Sequence, residues 1–231
     1  MSAATRGDLD GKVAWVTGGG EGAGRATALL LAALGASVLV TGPKERLLGQ
    51  VVGEITNGAG KARHLAGVAT DEAHLLAAIE KASSTFGGID VVVVVVTNDD
   101  ELPGAEATFR TASKHVRAGG RFVLLHALPK NDGEGQPFED EAAVLSELRV
   151  DALSIVRALP RRDLAPKVTA NAIFFVERDF ERKTVVAGDG SADREVSGSL
   201  TEEDAARLVE FLVSARSGDI DGLALGVTTL V

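Results

Sequence analysis

A glycine-rich turn between two apolar segments carries the strongest chemical signal in the sequence. It reads Thr17-Gly-Gly-Gly-Glu-Gly-Ala-Gly24 and joins the apolar run 13–16 to the apolar segment 26–34. Glycines at such a junction permit backbone angles that other residues resist, and they let a ligand approach the main chain closely. The helix that follows offers unpaired N–H groups and a positive dipole end to a pyrophosphate. A glycine turn made only for packing is the alternative, which the strand–turn–helix context disfavours.

We therefore predict a dinucleotide site on this turn and at the end of the next strand. Its predicted contact residues are Gly18, Gly20, Glu21, Gly22, Ala23, Gly24 and Thr41. The second strand has no acid at its end, where an NAD site would hold the adenosine ribose. Lys44 would favour a 2′-phosphate there, whereas the carboxylate of Glu21 would repel it. The sequence therefore predicts weak binding of NAD or NADP, or no cofactor, and leaves the choice between the two open.

Side chains suited to acid–base or metal chemistry are few and dispersed. His126, at the end of a predicted strand, is a candidate acid because imidazole titrates near neutrality, although a lone histidine more often has a structural role. The acidic cluster 99–101 follows the fourth predicted strand and is interpreted as a solvated loop. We predict no metal site, because the other three histidines lack the paired spacing of metal ligands. These are His64, His74 and His115.

Composition restricts the class of protein. The formal charge of −9 argues against nucleic-acid and anionic-membrane partners, because both would repel the chain. The absence of cysteine excludes disulfides, thiol nucleophiles and thiolate metal sites. The longest aliphatic run, Val91–Val96, is too short to span a bilayer. We expect a cytoplasmic protein without a membrane partner.

Apolar segments alternate between strand-like and helix-like patterns along the whole chain. This alternation predicts one Rossmann-type domain over residues 1–231, an α/β doubly wound fold with a seven-stranded, mostly parallel sheet covered by helices on both faces. Strands are predicted near residues 12–17, 37–41, 62–66, 89–97, 120–126, 167–175 and 222–229. Helices are predicted near residues 22–34, 43–57, 71–86, 104–117, 139–159 and 202–215. The polar stretch 177–199 is predicted to be irregular, either a flap over the site or a solvated excursion.

Two predicted helices carry apolar stripes at helical spacing. One comprises Leu145, Leu148, Ala152, Ile155 and Leu159, and the other Ala105, Phe109, Ala112 and Val116. Such stripes fit packing on the sheet, and they also fit association between subunits.

Several segments together resemble the short-chain dehydrogenase/reductase family, and within it the 3-oxoacyl-acyl-carrier-protein reductase type. They are Gly11-Lys-Val-Ala-Trp-Val-Thr-Gly18 with the TGxxxGxG turn, Phe86-Gly-Gly-Ile-Asp-Val91, Gly119-Gly-Arg-Phe-Val123, and residues 157–172 and 206–214. The resemblance covers nearly the whole chain and implies an NAD(P)-dependent oxidoreductase ancestry. It also implies oligomers through the active-site helix and the seventh strand.

The chemistry of that family is not matched. The resemblance implies a tyrosine proton donor, a lysine four residues later, a serine and a supporting asparagine. Alignment of these segments places Leu145 at the tyrosine position, Arg149 at the lysine position and Ala127 at the serine position, and the asparagine has no counterpart. The chain contains no tyrosine anywhere. Val68 also replaces the family's adenine-contacting aspartate.

These departures predict a catalytically degenerate member without catalytic residues. Our first hypothesis is a structural or regulatory subunit that forms a homo- or hetero-oligomer with subunits of the same family, including an active reductase. The alternatives are an NAD(P)-dependent oxidoreductase that uses a non-standard proton donor on a carbonyl or hydroxyl substrate, and a sensor that binds a nucleotide or other ligand without reacting.

Overall fold

The computed structural model describes residues 8–128, 154–159, 164–176, 178–185 and 194–227. Strands in these ranges are β1 (Val13–Thr17), β2 (Ser37–Gly42), β3 (Lys61–Ala66), β4 (Ile89–Val96), β5 (Val116–Leu128), β6 (Thr169–Val176), β7 (Arg178–Val185), β8 (Arg194–Leu200) and β9 (Ala224–Val227). Helices are α1 (Gly22–Ala33), α2 (Glu45–Asn57), α3 (Glu72–Phe86), α4 (Leu102–Ala112), α5 (described over residues 154–158) and α6 (Glu202–Val213).

Seven strands form one sheet in the order β3-β2-β1-β4-β5-β6-β9, and every neighbouring pair is parallel. This arrangement confirms the predicted doubly wound fold. The chain leaves β1 for β2 on one side and later returns to β4 on the other, so the strand order reverses at β1. Ligands of such sheets bind at the carboxyl ends of the strands beside this reversal.

The core has two layers, one on each face of the sheet. Alternate valines of β4 supply both: Val92, Val94 and Val96 face one layer, and residues 91, 93 and 95 face the other. Helices α3, α4 and α5 cover the first layer, while α1, α2 and α6 cover the second. The unbroken valine run is therefore explained by a strand with no solvated face.

Two sequence predictions about local structure are wrong. Helix α4 ends at Ala112 rather than near residue 117, because Val116 already pairs with Ile89 as the first residue of β5. The stretch 177–199 is not irregular over its described residues, because β7 and β8 pair as an antiparallel two-stranded sheet. Backbone pairing satisfies the main-chain polar groups whatever the side chains are, so the polar composition of this stretch was misleading.

The predicted helix 139–159 is described only at its end, where Ile155 and Leu159 are buried against the first core layer. Leu145, Leu148, Arg149 and Ala152 lie outside the described residues. In the described part of the chain, every helix is too short or too polar to cross a membrane.

Candidate functional site

Two adjoining cavities open at the carboxyl edge of the sheet, where β1, β2 and β4 end. The first, the α3 cavity, measures about 210 Å³ and lies between the ends of β2 and β4 and the start of α3. The second, the turn cavity, measures about 360 Å³ and lies over the glycine turn. They share five lining residues, Gly18, Gly42, Pro43, Val95 and Glu101. We call these two adjoining cavities together the groove, and they lie at the reversal in strand order.

The glycine turn depends on close backbone contacts that a side chain would block. A Cβ at Gly24 would lie 2.1 Å from the carbonyl oxygen of Gly18, and a Cβ at Gly18 would lie 2.8 Å from that of Val95. Gly18 and Gly22 also have positive φ angles, +67° and +56°. These contacts bring the start of α1 directly against the end of β1. Gly22 and Ala23, in the first turn of α1, therefore line the turn cavity.

The structure places the predicted contact residues around this groove. Six of them line a cavity. Thr41 lines the α3 cavity, and Gly18 lines both cavities. The turn cavity is also lined by Gly20, Glu21, Gly22 and Ala23. Gly24 lies behind them and acts through its contact with Gly18. The side chain of Thr41 is held in place by a hydrogen bond, because the indole Nε1 of Trp15 donates to its hydroxyl at 3.0 Å. Their role in binding a cofactor remains a prediction.

The charges on the groove are mostly negative. Glu101 lines both cavities, and its carboxylate accepts from the backbone N–H of Thr97 at 2.7 Å. Asp100 lines the α3 cavity. The ammonium of Lys44 lies 2.5 Å from a carboxylate oxygen of Glu21, so the positive charge at this edge is already paired.

His74 is a groove residue that the sequence reasoning missed. It is buried in the first turn of α3 and lines the α3 cavity. A Cβ at Gly67 would lie 2.2 Å from its Nδ1, so the missing side chain of Gly67 makes room for the imidazole. Burial lowers the pKa of His74, with Asp71 opposing the shift. The available signal was its position three residues after Asp71, which caps α3 by accepting from the N–H of Ala73.

Comparisons with known proteins agree with this architecture. The family model for short chain dehydrogenases matches residues 12–116. The 3-oxoacyl-(acyl-carrier-protein) reductase FabG of Escherichia coli is 27% identical over 95% of this chain and 97% of its own. Versicolorin reductase stcU of Emericella nidulans is 28% identical over 98% of each chain. The chain is thus similar to the short-chain dehydrogenase/reductase family, by the family model over residues 12–116 and by these reductases over nearly its whole length.

A solved structure of a family member agrees in fold. The short chain dehydrogenase from Burkholderia cenocepacia, determined in complex with NADP, covers 95% of this chain and 97% of its own with a TM-score of 0.67 and 22% identity. The predicted fold is thus confirmed, and so is the predicted resemblance to this family, which is one of NAD(P)-dependent oxidoreductases.

The family's reacting positions are only partly within the described residues. Ala127, at the serine position, lines the turn cavity with a side chain that has no hydrogen-bonding group. Leu145 and Arg149, at the tyrosine and lysine positions, lie outside the described residues. Among the residues that the structure describes, no group of three or more side chains is arranged to hold a metal ion.

His126 lies beside the groove rather than in it. Its imidazole is fully buried, and within the described part of the chain neither ring nitrogen has a hydrogen-bond partner. Nε2 lies 3.8 Å from a carboxylate oxygen of Asp99. Burial lowers the pKa of His126, and the nearby carboxylates of Asp99 and Glu101 oppose this. The neutral imidazole is therefore favoured, and the neighbouring Ala127 is the residue that reaches the turn cavity.

Proposed function

We propose that this protein is a non-catalytic subunit of the short-chain dehydrogenase/reductase type, which retains a nucleotide groove and associates with an active reductase. The observation that carries the proposal is a selective loss. The turn keeps the close contact between Gly24 and Gly18, while the whole sequence contains no tyrosine to act as the family's proton donor. Carbonyl reduction by that route therefore has no donor here.

The residues that remain fit a dinucleotide. The N–H groups of the first turn of α1 would hold the pyrophosphate, because Gly22 and Ala23 face the turn cavity. The largely apolar α3 cavity would hold the adenine, with Thr41 and His74 on its wall. A bound nicotinamide would supply hydride transfer. In this chain Ala127 would face that end of the groove with a methyl group only.

The binding part of the proposal can be tested by fluorescence. Trp15 is the only tryptophan and the chain has no tyrosine, so protein emission comes almost entirely from one buried indole. Because Trp15 is bonded to the groove residue Thr41, bound NADH or NADPH will quench its emission by energy transfer to the reduced nicotinamide. Saturable quenching that isothermal titration calorimetry reproduces supports binding. The absence of both signals contradicts it.

The subunit role requires a separate experiment. The tagged protein is purified from its native host, and co-purifying chains are identified by native mass spectrometry. A stoichiometric complex with a tyrosine-containing reductase supports the role. A protein recovered only as a homo-oligomer, even when such reductases are co-expressed with it, contradicts the role. Turnover of a carbonyl panel by the pure protein would contradict the non-catalytic assignment.

An oxidoreductase that uses His126 as its proton donor is the second candidate. The ring nitrogens beside Asp99 favour it, because they are buried and have no hydrogen-bond partner among the described residues, and such a polar group requires an explanation. Turnover that His126→Ala abolishes, with dinucleotide affinity unchanged, would establish this candidate. Turnover that survives in His126→Ala would exclude His126 as the donor.

A further inference from the structure

We propose that the pairing of Glu21 with Lys44 makes the groove selective for an adenine dinucleotide that has no phosphate on its adenosine ribose. This inference rests on the proposed nucleotide binding and specifies the class of ligand. The sequence has no acid at the end of β2 to hold a ribose diol. The fold supplies one from a different element, the glycine turn.

The position of Glu21 follows from its contact with Lys44. Lys44 comes directly after Gly42 and Pro43 at the end of β2, and it immediately precedes α2. Its ammonium lies 2.5 Å from Oε1 of Glu21, so the carboxylate is held at the end of β2 although it belongs to the turn. All four residues line the turn cavity. The end of β2 is where the adenosine ribose lies in dinucleotide sites of this architecture.

The chemistry of this position favours a hydroxyl group. A carboxylate accepts hydrogen bonds, so Glu21 can receive them from the 2′- and 3′-hydroxyls of a ribose. A 2′-phosphate carries close to two negative charges and offers mainly acceptors, so it requires cations. Lys44 is the single lysine or arginine among the residues that line the two cavities in the described part of the chain, and Glu21 neutralises it.

The other carboxylates at or near the groove also disfavour a ligand with a 2′-phosphate. Glu101 lines both cavities and Asp100 lines the α3 cavity, so an additional phosphate would meet further carboxylates. Glu202, at the start of α6, lies close to the turn as well, with Oε1 3.3 Å from the position of a Cβ on Gly22. Like charges in this arrangement repel a phosphate-rich ligand more strongly than one without the 2′-phosphate.

The test compares NADH with NADPH on the full-length protein, by Trp15 quenching and by calorimetry. We expect wild-type protein to bind NADH more tightly than NADPH by on the order of tenfold, because a doubly charged phosphate close to a carboxylate loses about this much binding in a partly exposed site. In Glu21→Gln, Lys44 is released to meet the 2′-phosphate, and the preference is expected to disappear or reverse.

The matched control is Glu54→Gln. Glu54 also forms an exposed ion pair at 2.5 Å, with Arg25, and it lines neither cavity. This variant is expected to keep the wild-type preference. Equal or tighter binding of NADPH by wild-type protein overturns the inference and leaves the proposed nucleotide binding intact. Equal effects of Glu21→Gln and Glu54→Gln also overturn it. Binding of neither dinucleotide by a folded protein overturns the proposed binding together with this inference.

Discussion

At the scale of single residues, burial controls the charge of the two histidines next to the groove. His74 and His126 both lose solvent on folding, and burial lowers the pKa of each. The carboxylates nearest to them, Asp71 for the first and Asp99 and Glu101 for the second, oppose the shift without reversing it. Both imidazoles are therefore neutral at neutral pH, which weakens the case for His126 as a proton donor.

The depressed pKa of His126 predicts a stability loss in acid. As pH falls below the ordinary histidine value of 6.5, the unfolded chain binds a proton before the folded chain does, so the free energy of unfolding decreases. The loss from one such group reaches about 1.4 kcal/mol per pH unit. In His126→Leu the slope between pH 6.5 and 5 is expected to be shallower. Urea unfolding followed by Trp15 fluorescence measures it.

The control for this prediction is His115→Gln, at an exposed position. This variant removes a histidine without disturbing the core, because the side chain of His115 is exposed. A His126→Leu slope equal to that of wild type would show that this imidazole titrates alike in the folded and unfolded chains.

Gly24 provides a second prediction at this scale. In Gly24→Ala the new Cβ would meet the carbonyl oxygen of Gly18 at 2.1 Å, so the turn and the start of α1 must separate. We expect a destabilisation of about 2–3 kcal/mol and loss of dinucleotide quenching, since overpacking against backbone costs about 1–3 kcal/mol or more.

Gly53→Ala is the control for this prediction. Its Cβ would meet nothing within 4 Å in the interior of α2, so it is expected to stabilise by about 0.5–1 kcal/mol. Equal stabilities of the two variants would contradict the turn geometry.

At the scale of elements, Asp90 anchors the end of the sheet opposite the groove. This buried carboxylate near the start of β4 accepts from the backbone N–H of Val13 at 2.8 Å and pairs with the guanidinium of Arg117 in β5. The ammonium of Lys12 lies 3.6 Å away. One side chain thus fixes the relative positions of β1, β4 and β5, which in turn determine where their carboxyl ends form the groove.

Replacement of Asp90 is expected to lower the free energy of unfolding while leaving dinucleotide affinity unchanged. Asp90→Ala leaves the N–H of Val13 and the charge of Arg117 without their partner, and it is expected to cost about 2–3 kcal/mol. Dinucleotide affinity of the folded protein should change little, because the groove is at the other end of the strands. Urea unfolding measures the free energy of unfolding, and calorimetry measures the dinucleotide affinity.

The control is Glu80→Ala, at an exposed site of α3. Its free energy of unfolding should stay within about 0.5 kcal/mol of the wild-type value. If Asp90→Ala lost no more stability than Glu80→Ala, the anchoring role of Asp90 would be contradicted.

At the scale of the whole molecule, the excess of acidic residues opposes compaction. The formal charge is −9, and three of the carboxylates that contribute to it line the groove, those of Glu21, Asp100 and Glu101. Salt screens this repulsion over distances of about 10 Å at 0.1 M. The exposed ion pairs that salt also weakens, such as Arg25–Glu54, contribute only about 0–1 kcal/mol each.

We therefore expect the melting temperature to rise with sodium chloride. An increase of a few degrees between low and physiological salt corresponds to about 1 kcal/mol for a chain of this size. Melting followed by Trp15 fluorescence in sodium chloride, with sucrose at matched osmolality as the control, measures this effect. A melting temperature that falls with salt would show that local ion pairs outweigh the net repulsion.

The sequence by itself determined the fold and the location of the groove. The alternation of apolar segments and the run Ile89–Val96 specified a parallel sheet buried on both faces, because only such a sheet buries every residue of that run. The glycine spacing from Gly18 to Gly24 specified the strand–turn–helix junction. Errors arose where pairing partners decide the outcome. Val116 extends β5 because Ile89 is beside it, and residues 178–185 form a strand because β8 pairs with them.

Only the tertiary structure decided which side chains share the groove. Glu21 and Lys44 are 23 residues apart in sequence and in contact in space, so an acid absent from the end of β2 is provided by the turn. His74 enters the groove because Gly67, on the preceding loop, leaves space for its ring. His126 is excluded from the groove while its neighbour Ala127 reaches it. Sequence periodicity reports which face of an element is apolar, but contacts between elements depend on how those faces pack.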